Sequence, residues 1–165
     1  MRGGSIGFLA VEPTPEPALS DFGVRTLAAV RGCVACYGDD AATVEVEWSE
    51  PTGMHFVDVR PRSSGAASVT VGIMGDELWV RAGKTRFEIW RSERRPEPIT
   101  VLEATLDAVF AGCLEEAGSG DDRFARISLS DGTVARFGAA HLPLPWSWRR
   151  RSRYAPYGQK LDRTD

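Results

Sequence analysis

Thr43-Val44-Glu45-Val46-Glu47-Trp48 alternates apolar and polar residues without a break, the two-residue period of a half-buried strand. Residues 54–60 alternate again, with His55, Val57 and Val59 on one side. Three further runs, 68–73, 77–81 and 85–90, carry the branched and aromatic residues that suit a pleated surface. Between these runs stand Pro51-Thr52-Gly53, the loop 61–65, Gly75-Asp76 and Gly83-Lys84. A parallel crossover takes a dozen residues or more, so connections this short force each strand to run antiparallel to the last. The stretch from 43 to 90 therefore reads as a five-stranded meander.

Working outward, Glu12-Pro13-Thr14-Pro15-Glu16-Pro17 ends an extended lead-in, residues 1–17, that suits neither a helix nor a central strand. Val24, Leu27, Val30, Val34 and Tyr37 then fall at steps of three or four, one face of a helix, with Ser20 as N-cap and Gly38 as the stop. Beyond the meander, Pro96-Glu97-Pro98 breaks the sheet, and Thr100 with Glu103 has the form of a capping box. Leu102, Leu106, Val109, Phe110 and Cys113 form the buried stripe of a second helix that stops at Gly112, after which Leu114-Glu115-Glu116 begins something extended. Two more strands, 123–129 and 133–137, meet at Asp131-Gly132, a strong hairpin signal. From His141 onward the Pro-, Trp- and Arg-rich chain predicts irregular structure. The expected fold is α+β, an antiparallel meander sheet of about five to seven strands with two helices packed on one face. It occupies 18–145 as one domain, followed by a basic, aromatic-rich tail, 146–165.

A chain of 165 residues, 42% apolar and 26% charged, is of ordinary globular size and composition. The net charge of −3 is unevenly spread. Residues 146–165 hold 6 basic and 2 acidic residues, a tail of +4; the 20 basic and 23 acidic residues of the whole leave 14 and 21, a body of −7. Such a body repels phosphates and favours basic partners. No segment is long enough to span a membrane, and the apolar run Ile6-Gly7-Phe8-Leu9-Ala10-Val11 is too short for a signal sequence. Three cysteines make no disulfide framework. A cytoplasmic location is expected, with no membrane contact.

Candidate chemistry is sparse. Cys33-Val34-Ala35-Cys36 has the spacing of a redox or metal pair. It stands near a helix end, where the dipole opposes the thiolate, and Cys113, His55 and His141 supply no second ligand pair. These cysteines read as structural, and no cofactor or metal is expected. Ala82-Gly83-Lys84-Thr85 imitates the end of a phosphate-binding loop but has Leu78 where the first glycine belongs, and Thr85 opens a strand. His55 reads as a satisfied sheet residue, and Glu45 and Glu47 as a solvated face. No nucleophile motif surrounds either histidine. The tail interleaves Trp146, Trp148, Arg149, Arg150, Arg151, Arg153 and Tyr154, the composition of a protein-binding hot spot. The same mixture stacks bases, but the acidic body disfavours nucleic acid. In a third reading the tail folds back, its aromatics plugging the core and its arginines pairing with body carboxylates.

Arg86-Phe87-Glu88-Ile89-Trp90, the helix ending Ala108-Val109-Phe110-Ala111-Gly112, Leu114-Glu115-Glu116 and the hairpin at Asp131-Gly132 together resemble the small α+β immunity-type proteins that bacteria encode beside polymorphic toxins. The resemblance covers residues 68–138, under half of the chain, and transfers no functional residue. It implies a protein without a catalytic centre that neutralises a cognate toxin by surface complementarity. The acidic body would suit a basic toxin, while the basic tail departs from that picture. The expected function is thus non-enzymatic protein binding, with the tail residues above as the candidate contact set. Two other readings stand beside it. One is a small-molecule-binding or accessory domain with Trp79 and Trp90 as a pocket wall. The other is an enzyme whose carboxylates meet only in space.

Overall fold

The computed structural model describes residues 16–89, 97–119, 122–138 and 151–161. Helix α1 (Asp21–Ala35) leads into strands β1 (Ala42–Ser49), β2 (Met54–Pro61), β3 (Val69–Met74), β4 (Glu77–Ala82) and β5 (Thr85–Ile89). Helix α2 (Pro98–Phe110) follows, then β6 (Leu114–Ser119), β7 (Asp122–Ser128), β8 (Val134–Gly138) and β9 (Arg151–Arg153). The architecture is α+β with antiparallel pairing throughout its named strands. The strands form two sheets, ordered β1-β2-β3-β4-β5 and β8-β7-β6-β9, where the sequence predicted one. The correction has a local cause: α2 intervenes after β5, and β6 then pairs with β7 and β9 instead of extending the meander.

Register gives the first sheet two unlike faces. Pairings Val57↔Val71, Val71↔Val80 and Val59↔Val69 put one valine row inside, and all five of these valines are buried. They share a core with Val30 and Val34 of α1 and with Leu102, Leu106, Val109 and Phe110 of α2. Val46, on the edge strand, is 36% exposed although its pattern marks it as inward. Removing each inner valine from water contributes roughly 1.5–3 kcal/mol, so this row holds the sheet to its helices.

Both helix ends differ in detail from the sequence expectation. Ser20 caps α1 by accepting the Gly23 N–H at 3.1 Å, as its residue type predicts. The buried stripe, however, runs Phe22, Thr26, Val30, Val34, and Val24 is 55% exposed. Thr26 is tolerated in the core because its hydroxyl donates to the Phe22 carbonyl at 2.8 Å. The capping box at Thr100 does not form: α2 starts at Pro98, in the first turn where a missing N–H costs nothing, and Thr100 already lies inside it. Cys113, placed in that helix's stripe by spacing, is exposed beyond its end.

The stretch after His141, expected to be irregular, contains β9 and continues as a strap across the fold. Glu116↔Ser152 pairing joins it to β6, and Ala155 donates to the Gly65 carbonyl at 2.9 Å. Tyr157 donates its backbone N–H to Phe110 and its hydroxyl to the Ala67 carbonyl, while Leu161 donates to the Cys36 carbonyl. The Tyr157 ring stacks on Phe110 at 4.1 Å, with Tyr37 edge-on to the Phe110 ring. Gly112, at φ +78°, leaves the path open: a Cβ there would lie 2.9 Å from the Pro156 nitrogen.

One buried side chain gathers these parts. Glu116, on β6, is 3% exposed. Its Oε1 accepts the Lys84 N–H at 2.8 Å and the Thr85 hydroxyl at 2.6 Å, and its Oε2 accepts the Tyr154 hydroxyl. The first sheet's β4–β5 turn, the second sheet and the strap thus meet on one carboxyl group. Stranding one buried and two part-buried donors should be costly, so Glu116→Ala is expected to lose about 2 kcal/mol in urea unfolding, and Glu116→Gln, which keeps one acceptor oxygen, about 1 kcal/mol. A loss below about 0.5 kcal/mol for the alanine variant, the range of an ordinary surface substitution, would show that these bonds do not hold the seam.

The three tyrosines of the chain, Tyr37, Tyr154 and Tyr157, all have phenols pushed well above the ordinary tyrosine value. Burial is the leading cause in each, helped by Asp107 at Tyr37 and by Glu116 at Tyr154. The native state therefore holds these protons more tightly than the unfolded chain does. Stability is unaffected below the unfolded value of about 10 and falls as the pH rises above it. In an alkaline titration, tyrosinate absorbance is expected to appear in one step together with loss of circular dichroism. A phenol ionising near pH 10 with the fold intact contradicts the packing described.

Candidate functional site

The outer face of the first sheet presents the opposite chemistry to its core. Glu47↔Phe56, Phe56↔Gly72 and Gly72↔Trp79 place these four residues in one row across β1 to β4. Gly72 is what lets Trp79 lie flat: a Cβ at that position would overlap the indole ring. A glycine inside a strand weakens it, and here the weakness coincides with close approach by an aromatic ring. Phe56 meets Trp79 edge-on with centroids 5.7 Å apart, and the indole Nε1–H points at the Met54 Sδ at 3.4 Å. Met54, Phe56 and Trp79 are half-buried, and Met74 beside them is 45% exposed. The result is a braced apolar plate on a sheet face.

Acids surround the plate. Glu45↔Asp58, Asp58↔Thr70 and Thr70↔Arg81 form the next row, and Met74↔Glu77 closes the other side. Glu45 pairs with Arg60 at 3.1 Å, and Asp58 accepts the Thr70 hydroxyl at 2.6 Å. Glu47 and Glu77 are exposed. Four acids, Glu45, Glu47, Asp58 and Glu77, thus stand against Arg60 and Arg81 on this face of β1 to β4. An aromatic and methionine centre with a charged rim is the anatomy of a protein-binding surface.

The tail residues picked out by composition are placed differently. Trp146, Trp148, Arg149 and Arg150 lie outside the described residues. Arg151 is exposed on β9, Arg153 pairs with Glu115, and Tyr154 turns its hydroxyl to Glu116. Lys160 meets Asp107 at 2.6 Å. In its described part the tail therefore folds back onto acids of the body. Trp79 was visible in the sequence, but its row with Phe56 and Gly72 depends on cross-strand register, which only the closed sheet displays. Trp90 and His141 lie outside the described residues.

The remaining candidates are structural in their contacts. His55 is buried, with its Nε2 3.0 Å from the Pro17 carbonyl and its ring tilted on Trp48 at 4.7 Å, so it fastens the segment before α1 to β2. The Lys84 backbone N–H and the Thr85 hydroxyl both donate to Glu116, the anion at that turn being the protein's own. Cys33 lines a groove of about 480 Å³ between the helices, beside Ala29, Gly32, Ile99 and Glu103. Its thiol is pushed up to about 12, by burial first and then by the Glu103 and Cys36 side chains. Among the described residues no three metal-ligating side chains converge, and no helix is long and apolar enough to cross a membrane.

Because the thiolate is the reactive form, limited alkylation at neutral pH is expected to modify exposed Cys113 first and Cys33 last, as read by peptide mass mapping. Cys33 reacting ahead of Cys113 would show that the groove activates the thiol. The chain matches no family model, no curated protein and no solved structure.

Proposed function

We propose that this protein is a non-enzymatic protein-binding domain of the immunity type, holding a basic cognate toxin against the outer face of its first sheet. The observation that carries the reading is the Trp79 plate, braced by Gly72, Phe56 and Met54 and ringed by acids. A tryptophan already fixed by its neighbours loses little rotamer freedom on binding, so more of its contact energy appears as affinity. The acids steer a basic partner toward it and set the orientation of approach. The net charge of −3 acts weakly in the same direction over longer range. The resemblance of residues 68–138 to immunity-type proteins supplies the biological role. A small-molecule reading fits this plate less well, because Trp79 lies along the sheet instead of standing as a wall.

The test is affinity capture from the native host, with the product of the neighbouring gene as the first partner assayed. Trp79→Ser is expected to weaken retention at least about thirtyfold, the effect of losing a hot-spot side chain, with circular dichroism unchanged. Retention should also fall as salt rises, since part of the attraction is charge. A captured partner that is acidic, or one held equally by the Trp79→Ser variant, would refute the assignment of this face.

A further inference from the structure

The open edge of β1 offers something the plate does not. In the first sheet β5 lies against β8 of the second sheet, whereas β1 has β2 as its one strand neighbour among the described residues. Its pairing with β2 runs unbroken from Ala42↔Pro61 to Ser49↔Met54, eight residues without a bulge. The side of β1 away from β2 therefore presents an extended row of peptide N–H and C=O groups. Proteins usually blunt such an edge with proline, lysine, a bulge or a short strand. β1 contains no Pro, Gly or Lys. Its protection is acidic: Glu47 and, already paired with Arg60 of β2, Glu45, both exposed and both on the outer face.

Those two acids decide what can pair there. A second copy adding its own β1 antiparallel would keep outer residues opposite outer residues. Centred on Glu45 or on Glu47, the pairing sets that glutamate against itself. Centred on Val46, it sets Glu45 against Glu47 twice. Like charges directly opposite destabilise a strand pair, so self-pairing is disfavoured in each of the central registers. A strand with basic residues on that face gains where the self-pair loses. On the inner face, Val44 and Trp48 are partly exposed and Val46 is 36% exposed, leaving apolar surface for the alternate side chains of an added strand.

We propose that β1 accepts an extended segment of a partner protein by strand addition, the segment alternating basic residues, set against Glu45 and Glu47, with apolar residues set against Val46. The proposal rests on the protein-binding reading and deepens it. An added strand would continue the Glu47–Phe56–Gly72–Trp79 row outward, so edge and plate together make one surface.

The probe is a capped eight-residue peptide of alternating lysine and valine, added to the full chain and followed by calorimetry and amide hydrogen exchange. Binding is expected, with slowed exchange confined to β1. A glutamate–valine peptide should bind at least about tenfold more weakly, and the Glu45→Lys, Glu47→Lys double variant should reverse that preference. Strand addition also predicts a dependence on phase. N-methylation of every second residue in one phase removes the donors facing β1 and abolishes binding, while the other phase leaves it intact. Equal binding by both methylated peptides, protection elsewhere than β1, or no binding of the lysine–valine peptide would overturn the proposal. If the peptide fails while capture of the partner still depends on Trp79, the edge is lost and the protein-binding reading stands. If the peptide binds as described while capture ignores Trp79, the edge stands and the plate does not.

Discussion

The buried Glu116 carboxyl is the constraint that ties the two sheets to each other. A polar side chain 3% exposed must find its partners inside the protein. Glu116 finds a backbone N–H and a hydroxyl at the β4–β5 turn, and a phenol on the strap. The donors come from two distant pieces of chain, the turn at Lys84 and Thr85 and the strap at Tyr154, at sequence separations of 32, 31 and 38 residues. Apolar contact alone would tolerate some sliding of one sheet on the other, since the hydrophobic effect has no direction. Hydrogen bonds to a single carboxyl do not tolerate it. The group therefore fixes how the second sheet meets the β4–β5 turn of the first.

The strap follows from the same requirement. Tyr154 reaches Glu116 only if β9 pairs with β6, and that pairing carries Tyr157 onward to Phe110 and Ala67. Two of the basic residues read as a tail, Arg153 and Lys160, pair with Glu115 and Asp107. Exposed pairs of this kind contribute little individually. The holding is done by the buried tyrosines, and the charges keep the strap in register over its acidic bed.

How far the fold could be read in advance depended on whether each signal was local. The strands from Thr43 to Ile89 were legible because a two-residue period and short turns are properties of neighbouring residues. β9 is three residues long and pairs with a strand more than thirty residues before it, so no local pattern announces it. Thr26 was invisible as a core residue because its side chain is polar by type, and only the bond to Phe22 makes it acceptable inside. Pro98 overrode the capping box because a proline at a first helical turn is a stronger start than Thr100 two residues later. At the site, Trp79 was legible as an exposed aromatic, but its brace was not. Gly72 and Phe56 belong to other strands, and which residues face Trp79 is set by register. The acids of the outer face were legible as a solvated side; that they ring an apolar plate was not.

The two halves of the molecule thus have complementary jobs in leaving surface available. In the second sheet β8 lies near β5 of the first, and β6 pairs with a strap that is itself only a short strand. The regular, unbulged β1 stands at the far end of the first sheet. A long open edge is a hazard in any protein, because it pairs with whatever extended chain it meets. An acidic edge narrows that hazard by charge. Under the strand-addition proposal it would reject copies of itself and other acidic chains while admitting basic ones, which is discrimination through a repulsive element as much as through an attractive one. The plate beside it adds the apolar contact that charge alone does not give. On the proposed reading, selectivity for a basic partner would follow from where two glutamates sit on one strand, a strand that its pairing with β2 leaves at the end of the sheet order.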